Sequence, residues 1–145
     1  MGSSYADTSF LVSLYGNDSH TSQALAYART LRRPLTISQL TEFEFEQALQ
    51  LAIFRQTIPP SLAARAEATL EADLRSGGAV KVSCDFSTIL QLARRLSRVH
   101  TGKTGSRSFD ILHVAAALDV GAKEFLTFDV QQGRLAQAEG LKVLP

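Results

Sequence analysis

Short apolar runs alternate along this chain with longer stretches of helical periodicity, and that alternation constrains the fold more than any other feature. Residues 4–6, 35–38, 80–82, 124–128 and 141–144 read as short strands. Helical patterns fill the intervals at 10–15, from Asp18-Ser19 through Ala24, Leu25, Ala28 and Leu31, and at 40–54. Pro59-Pro60 opens a further helix that Gly77-Gly78 closes, and Asp85 or Ser87 caps one that ends near Val99. The stretch 100–105 reads as a loop, followed by helices at 109–120 and 130–139. Strands separated by helices require right-handed parallel crossovers, so the expected architecture is α/β, with helices on both faces of a mostly parallel sheet of about five strands. In such sheets ligands bind beyond the carboxyl ends of the strands, which directs attention to the acids found there.

The 145 residues suit one domain spanning 1–145, and 45% hydrophobic against 20% charged residues is the balance of a globular chain rather than a disordered one. Lys+Arg number 15 and Asp+Glu 14, a net charge of +1, so nucleic-acid binding must be argued from charge placement and not from the total. The single cysteine, Cys84, forms no internal disulfide and reads as a buried free thiol. No apolar run reaches the roughly 18 residues of a membrane span. The N-terminal residues carry no basic export signal, so a soluble cytoplasmic protein is expected. Met1-Gly2-Ser3-Ser4 reads equally as native sequence or as a cloning remnant.

Four carboxylates stand out. Asp7 and Asp129 follow the first and fourth strands, where each also suits a helix N-cap. Asp110 lies in the first turn of its helix, favoured there by the macrodipole, yet it shares a face with His113, Val114 and Ala117. A carboxylate turned toward such a face is costly unless it is paired or metal-bound. Glu44 completes a capping-box pattern with Thr41 and shares a stripe with Leu40, Ala48 and Leu51. Glu42 and Glu46 form a like-charge pair on another side and remain the alternatives to Glu44. Gathered at one sheet end, four acids describe a site for a hard cation, Mg²⁺ or Mn²⁺, and the chemistry such a site supports is phosphoryl hydrolysis. His113 reads as a satisfied core histidine, and His20 and His100 carry no argument.

The segments Ala6-Asp7-Thr8-Ser9, Ile37 to Glu44, Asp110-Ile111-Leu112-His113-Val114-Ala115-Ala116-Ala117 and Leu126-Thr127-Phe128-Asp129 resemble, in that order, the motifs of PIN domains. Within that family they look like the VapC-type toxins of bacterial toxin–antitoxin ribonucleases. The resemblance covers nearly the whole chain. It implies a three-layer α/β/α domain that hydrolyses RNA phosphodiesters with one or two Mg²⁺ or Mn²⁺ ions held by Asp7, Glu44, Asp110 and Asp129. Thr8, Ser9 and Thr127 match hydroxyl positions beside the acids. A homodimer and an antitoxin protein are the partners it implies.

RNA contacts are expected from an acid-free stretch that carries Arg94, Arg95, Arg98, Lys103 and Arg107, with Arg107 preferred for its nearness to Asp110. A solvated helix face with a loop is the plain alternative. Two other readings compete for the whole chain. One is a non-catalytic PIN-like module that binds RNA or protein. The other is a haloacid-dehalogenase-like phosphatase or receiver domain, although Asp7-Thr8-Ser9 supplies one aspartate where the phosphatase pattern has two.

Overall fold

A computed structural model describes residues 3–145; Met1 and Gly2, half of the segment whose origin was left open, lie outside them. Five strands form one all-parallel sheet: β1 (Ser4–Ala6), β2 (Leu35–Ser38), β3 (Ala79–Val82), β4 (Glu124–Leu126) and β5 (Lys142–Leu144). Their order is β3-β2-β1-β4-β5, with Tyr5 opposite Thr36 on one side and Phe125 on the other. The chain therefore runs outward from β1 through β2 to β3, then returns to the other side of β1 for β4 and β5. The order reverses between β1 and β4, and the crevice beyond their carboxyl ends is where a parallel sheet holds its ligands.

Seven helices flank the sheet among the described residues: α1 (Thr8–Tyr15), α2 (Thr21–Ala28), α3 (Gln39–Phe54), α4 (Pro60–Ser76), α5 (Phe86–Leu96), α6 (Ser108–Asp119) and α7 (Val130–Ala138). Strand alternation divides the core into two layers. Ala6, Leu126, Leu35 and Ile37 face α1 to α4, meeting Phe10, Phe45 and Leu70. Tyr5 and Phe125 turn the other way and stack on each other with ring centroids 5.9 Å apart, against Ile89, Leu96, Val114 and Leu135 from α5 to α7. This is the three-layer α/β/α arrangement expected from the sequence.

Two local readings are corrected. The stretch 100–105, expected as a loop, is mostly helical: α5 continues through a π-type turn (Ser97–Thr101) and one further turn (Gly102–Thr104). Nothing before Gly105 forces a stop, and Gly105 ends the helix in the left-handed conformation (φ 66°) that a glycine adopts without strain. The capping box of α3 also lies one turn earlier than expected. Ser38 Oγ accepts the Thr41 N–H while Thr41 Oγ1 accepts the Ser38 N–H. Glu44 is thereby left out of the cap. Cys84 is buried and free, in line with its reading.

Candidate active site

The loop after β1 positions Asp7. It caps α1, accepting the Phe10 N–H (2.9 Å) and the Ser9 hydroxyl (2.7 Å) on Oδ1, while Oδ2 accepts the Thr127 hydroxyl from the end of β4. Its own N–H donates to the Leu126 carbonyl, which locks β1 to β4 at the reversal point. Asp7 is 1% exposed, and burial pushes its carboxyl up to about 6 despite three donors and the nearby His113. Its neighbours are knitted together as well. Thr127 Oγ1 accepts the Asp129 N–H (2.9 Å), and Ser9 Oγ accepts the Phe128 N–H (2.9 Å).

Asp129, exposed, caps α7 by accepting the Gln132 N–H (3.0 Å). Asp110 sits in the first turn of α6, where its Oδ2 accepts the Arg107 N–H (3.2 Å). Burial raises the Asp110 carboxyl, and the charges of Asp129 and Glu44 raise it further against the lowering influence of that N–H and of His113. The capping role and a shared site thus coexist: Asp7, Asp110 and Asp129 each stand at a helix N-terminus on this sheet edge and line one cleft.

Glu44 projects from α3 toward the same place. Burial alone would raise its carboxyl, but the hydrogen bond and charge of His113, with the Thr8 hydroxyl, bring it below the ordinary value. His113, 1% exposed, sets Nε2 3.1 Å from Glu44 Oε2 and 3.3 Å from Thr8 Oγ1, and Nδ1 3.4 Å from the Tyr5 hydroxyl. It is the satisfied core histidine expected, but one of its partners is a site acid, and sequence spacing carried no sign of that. Ser38 and Thr41 hydroxyls reach Tyr5 Oη at 2.8 and 2.9 Å, so a buried polar chain runs from the α3 cap to Glu44. Glu42 instead bonds Lys81 (3.0 Å), and Glu46 is exposed on a different groove.

Asp7, Thr8, Ser9, Glu44, Asp110 and Asp129 line one cleft of about 420 Å³, with no Lys or Arg side chain among its lining. Thr127 lies behind it, bonded to Asp7. The lining also holds Asp18, read from the sequence only as a helix start, and His20, to which no role was given. Asp18 lies ahead of α2, its Oδ2 accepting the Ser13 hydroxyl (2.9 Å); Ser13, a polar residue in an apolar helix, is the hint the sequence offers. Of the five basic residues expected to contact RNA, Arg107 alone adjoins a cleft acid. Arg94 lines a separate groove between α5 and α6, and Arg95 is bonded to Glu139 (2.8 Å) beside His100. Arg98 and Lys103 are exposed.

The donor set is all oxygen, the preference of Mg²⁺ and Mn²⁺. Among the described residues, no three His, Cys, Asp or Glu side chains converge into a ready-made cage. The cleft therefore fits an ion held by one or two carboxylates with water completing its shell, which is how Mg²⁺ commonly binds.

Residues 4–138 match the PIN domain family. No curated protein matches the chain. Among solved structures it is similar to Mycobacterium tuberculosis VapC20, described as a sarcin-ricin loop cleaving toxin, with TM-score 0.72 and 19% identity over 99% of this chain and 100% of that one. It is also similar to VapBC2 from Rickettsia felis, solved with a DNA fragment from its promoter (TM-score 0.64, 14% identity, 97% and 96% covered). A third similar structure is FitAcB from Neisseria gonorrhoeae (TM-score 0.63, 13% identity, 98% and 96% covered).

Proposed function

The chain belongs to the PIN-domain family, and from that premise we propose that it is a metal-dependent endoribonuclease, the toxin of a toxin–antitoxin pair, formed as a single domain. One observation carries the reading: four carboxylates from four separate elements line one cleft at the reversal point of a parallel sheet, with no Lys or Arg side chain among its lining. Asp7, Glu44, Asp110 and Asp129 are the residues that would hold Mg²⁺ or Mn²⁺, one or two of them directly and the others through its water shell. When bound, such an ion supplies charge to offset the oxyanion that develops on the phosphate and lowers the pKa of water.

The chain's own residues have distinct tasks in this reading. Asp7, its carboxyl raised to about 6 and so mostly ionised at neutral pH, is suited to accept a proton from water there. Thr127 and Ser9 fix its two oxygens, and Thr8 with His113 hold Glu44. Arg107, at the start of α6, is the choice for a substrate phosphate contact; Arg94, Arg98 and Lys103 are more distant candidates along the strand, and the Glu139 bond makes Arg95 the weakest.

Exposed Phe43 and Phe54 on α3, Phe86 and Leu90 on α5, and Phe109 on α6 support a homodimer; the Phe43 and Phe109 rings lie 6.3 Å apart across two helices. The VapBC2 and FitAcB likenesses support an antitoxin partner, and a cytoplasmic setting belongs to the same toxin reading. Described helices are all too short or too polar to cross a membrane.

The test is cleavage of a mixed RNA panel with Mg²⁺ or Mn²⁺ against EDTA, with identically purified Asp7→Asn protein alongside. Cleavage that requires both metal and Asp7 is expected. Equal cleavage by parent and variant overturns the site, and metal binding without turnover on any RNA favours a binding module.

A further inference from the structure

The mouth of the cleft carries a feature that the acidic set does not use. His20 lies on Phe128 with ring centroids 4.4 Å apart and planes 9° from parallel; Phe128 in turn stacks on the buried Phe10 at 5.8 Å and 12°. Three flat rings thus rise in register from the core to the surface. His20 and Phe128 line the cleft, and Phe128 stands between Thr127 and Asp129 in sequence. His20 is exposed, so with one face on Phe128 its other face is open to solvent.

The backbone beneath the ring is also anchored. The His20 main-chain N–H donates to Asp18 Oδ1 (2.8 Å), and Asp18 is held from α1 through the Ser13 hydroxyl. The Phe128 N–H donates to Ser9 Oγ. A partner stacking on this surface therefore orders little that is not already ordered. Single-stranded RNA exposes flat bases, and protein rings receive them by stacking largely without regard to sequence.

We propose that His20, seated on Phe128 at the rim of the acidic cleft, is a stacking platform for one unpaired nucleobase of the substrate. The proposal rests on the ribonuclease reading. The platform takes the base while the adjoining carboxylates face the scissile phosphate, so it sets how the strand enters the cleft. Because every base has a π-face, it accepts any base, and because a paired base is already stacked on its neighbours, it favours an unpaired nucleotide at that position.

The test uses full-length protein carrying Asp7→Asn, so that RNA is bound and not cut, with a short fluorescent single-stranded RNA read by anisotropy. His20→Ala on that background is expected to weaken binding about tenfold, the scale of one stacked base, and His20→Tyr, which restores a flat ring, to recover it. RNAs with a single abasic site are then scanned. At one position the base deletion is expected to cost the protein that retains His20 about tenfold and the His20→Ala variant nothing, because both changes remove the same contact. Equal affinities for intact RNA with and without the His20→Ala substitution overturn the platform while leaving the ribonuclease reading in place. So does an abasic penalty that is the same in both proteins at every position. Absence of any RNA binding by the Asp7→Asn protein overturns the ribonuclease reading and the platform with it.

Discussion

Asp7→Asn is informative for stability as well as for activity, because the buried charge that suits a metal ion burdens the metal-free fold. Burial raises the Asp7 carboxyl from 3.8 to about 6, so the folded chain holds this proton to higher pH than the unfolded chain does. Folded protein consequently binds more protons than unfolded protein between those values, and stability falls as pH rises through that window. At about 1.36 kcal/mol per pH unit, the rise from 3.8 to about 6 makes the ionised fold about 3 kcal/mol less stable than the protonated one. The contribution is fully present below the unfolded value and is gone above about 6.

Asparagine retains the partners. Its Oδ1 keeps the Ser9 and Phe10 donors, and its Nδ2–H₂ donates to Thr127 Oγ1, whose proton then turns to Ser9 Oγ, 3.2 Å away. The assay is urea unfolding of parent and variant in EDTA across about pH 4 to pH 8. Titrating groups that do not interact with Asp7 cancel in the difference between the two proteins. The stability of the variant relative to the parent should rise by about 2.5 kcal/mol over that range, with the change centred between 4 and 6. A difference that does not vary with pH refutes the argument that Asp7 is strained by its own charge.

His113→Leu removes the Nε2 partner of Glu44 and should lower metal-dependent cleavage by about tenfold or more, with His113→Gln, which keeps a donor, less affected; steady-state kinetics on one RNA checks this. Arg107→Ala should weaken RNA affinity uniformly across sequences and reduce the slope of log K against log salt by about 1, read from salt titrations of binding. Phe125→Ala removes a fully buried ring stacked on Tyr5 and should cost about 3–5 kcal/mol in urea unfolding.

The strand–helix alternation, the parallel sheet and the acids at strand ends were legible because each depends on neighbours a few residues apart. A period of two or of 3.6, an Asp before a helix and a glycine after one are energetic preferences of the local chain. The same locality explains the misplacements. Thr41 at three residues from both Ser38 and Glu44 suits either box, and only the folded cap shows that Ser38 takes it. The stretch 100–105 has loop composition, but packing continues α5 through it: His100 bonds Glu139 of the segment after α7, and the Thr104 carbonyl accepts the Gln131 amide.

The sequence by itself determined that this chain builds α/β layers and that Asp7, Asp110 and Asp129 stand at helix starts, where the free N–H groups favour them. Tertiary structure alone decided what those acids meet. The pairing of β1 with β4 brings the Thr127 hydroxyl onto Asp7 across 120 residues of sequence. The packing of α3 beside α6 selects Glu44 over Glu42 and Glu46 and gives it His113. The turn ahead of α2 carries Asp18 and His20 to the rim of the cleft. These contacts have no periodicity to read, since they depend on which strands become neighbours and on how helices from distant parts of the chain are seated against them.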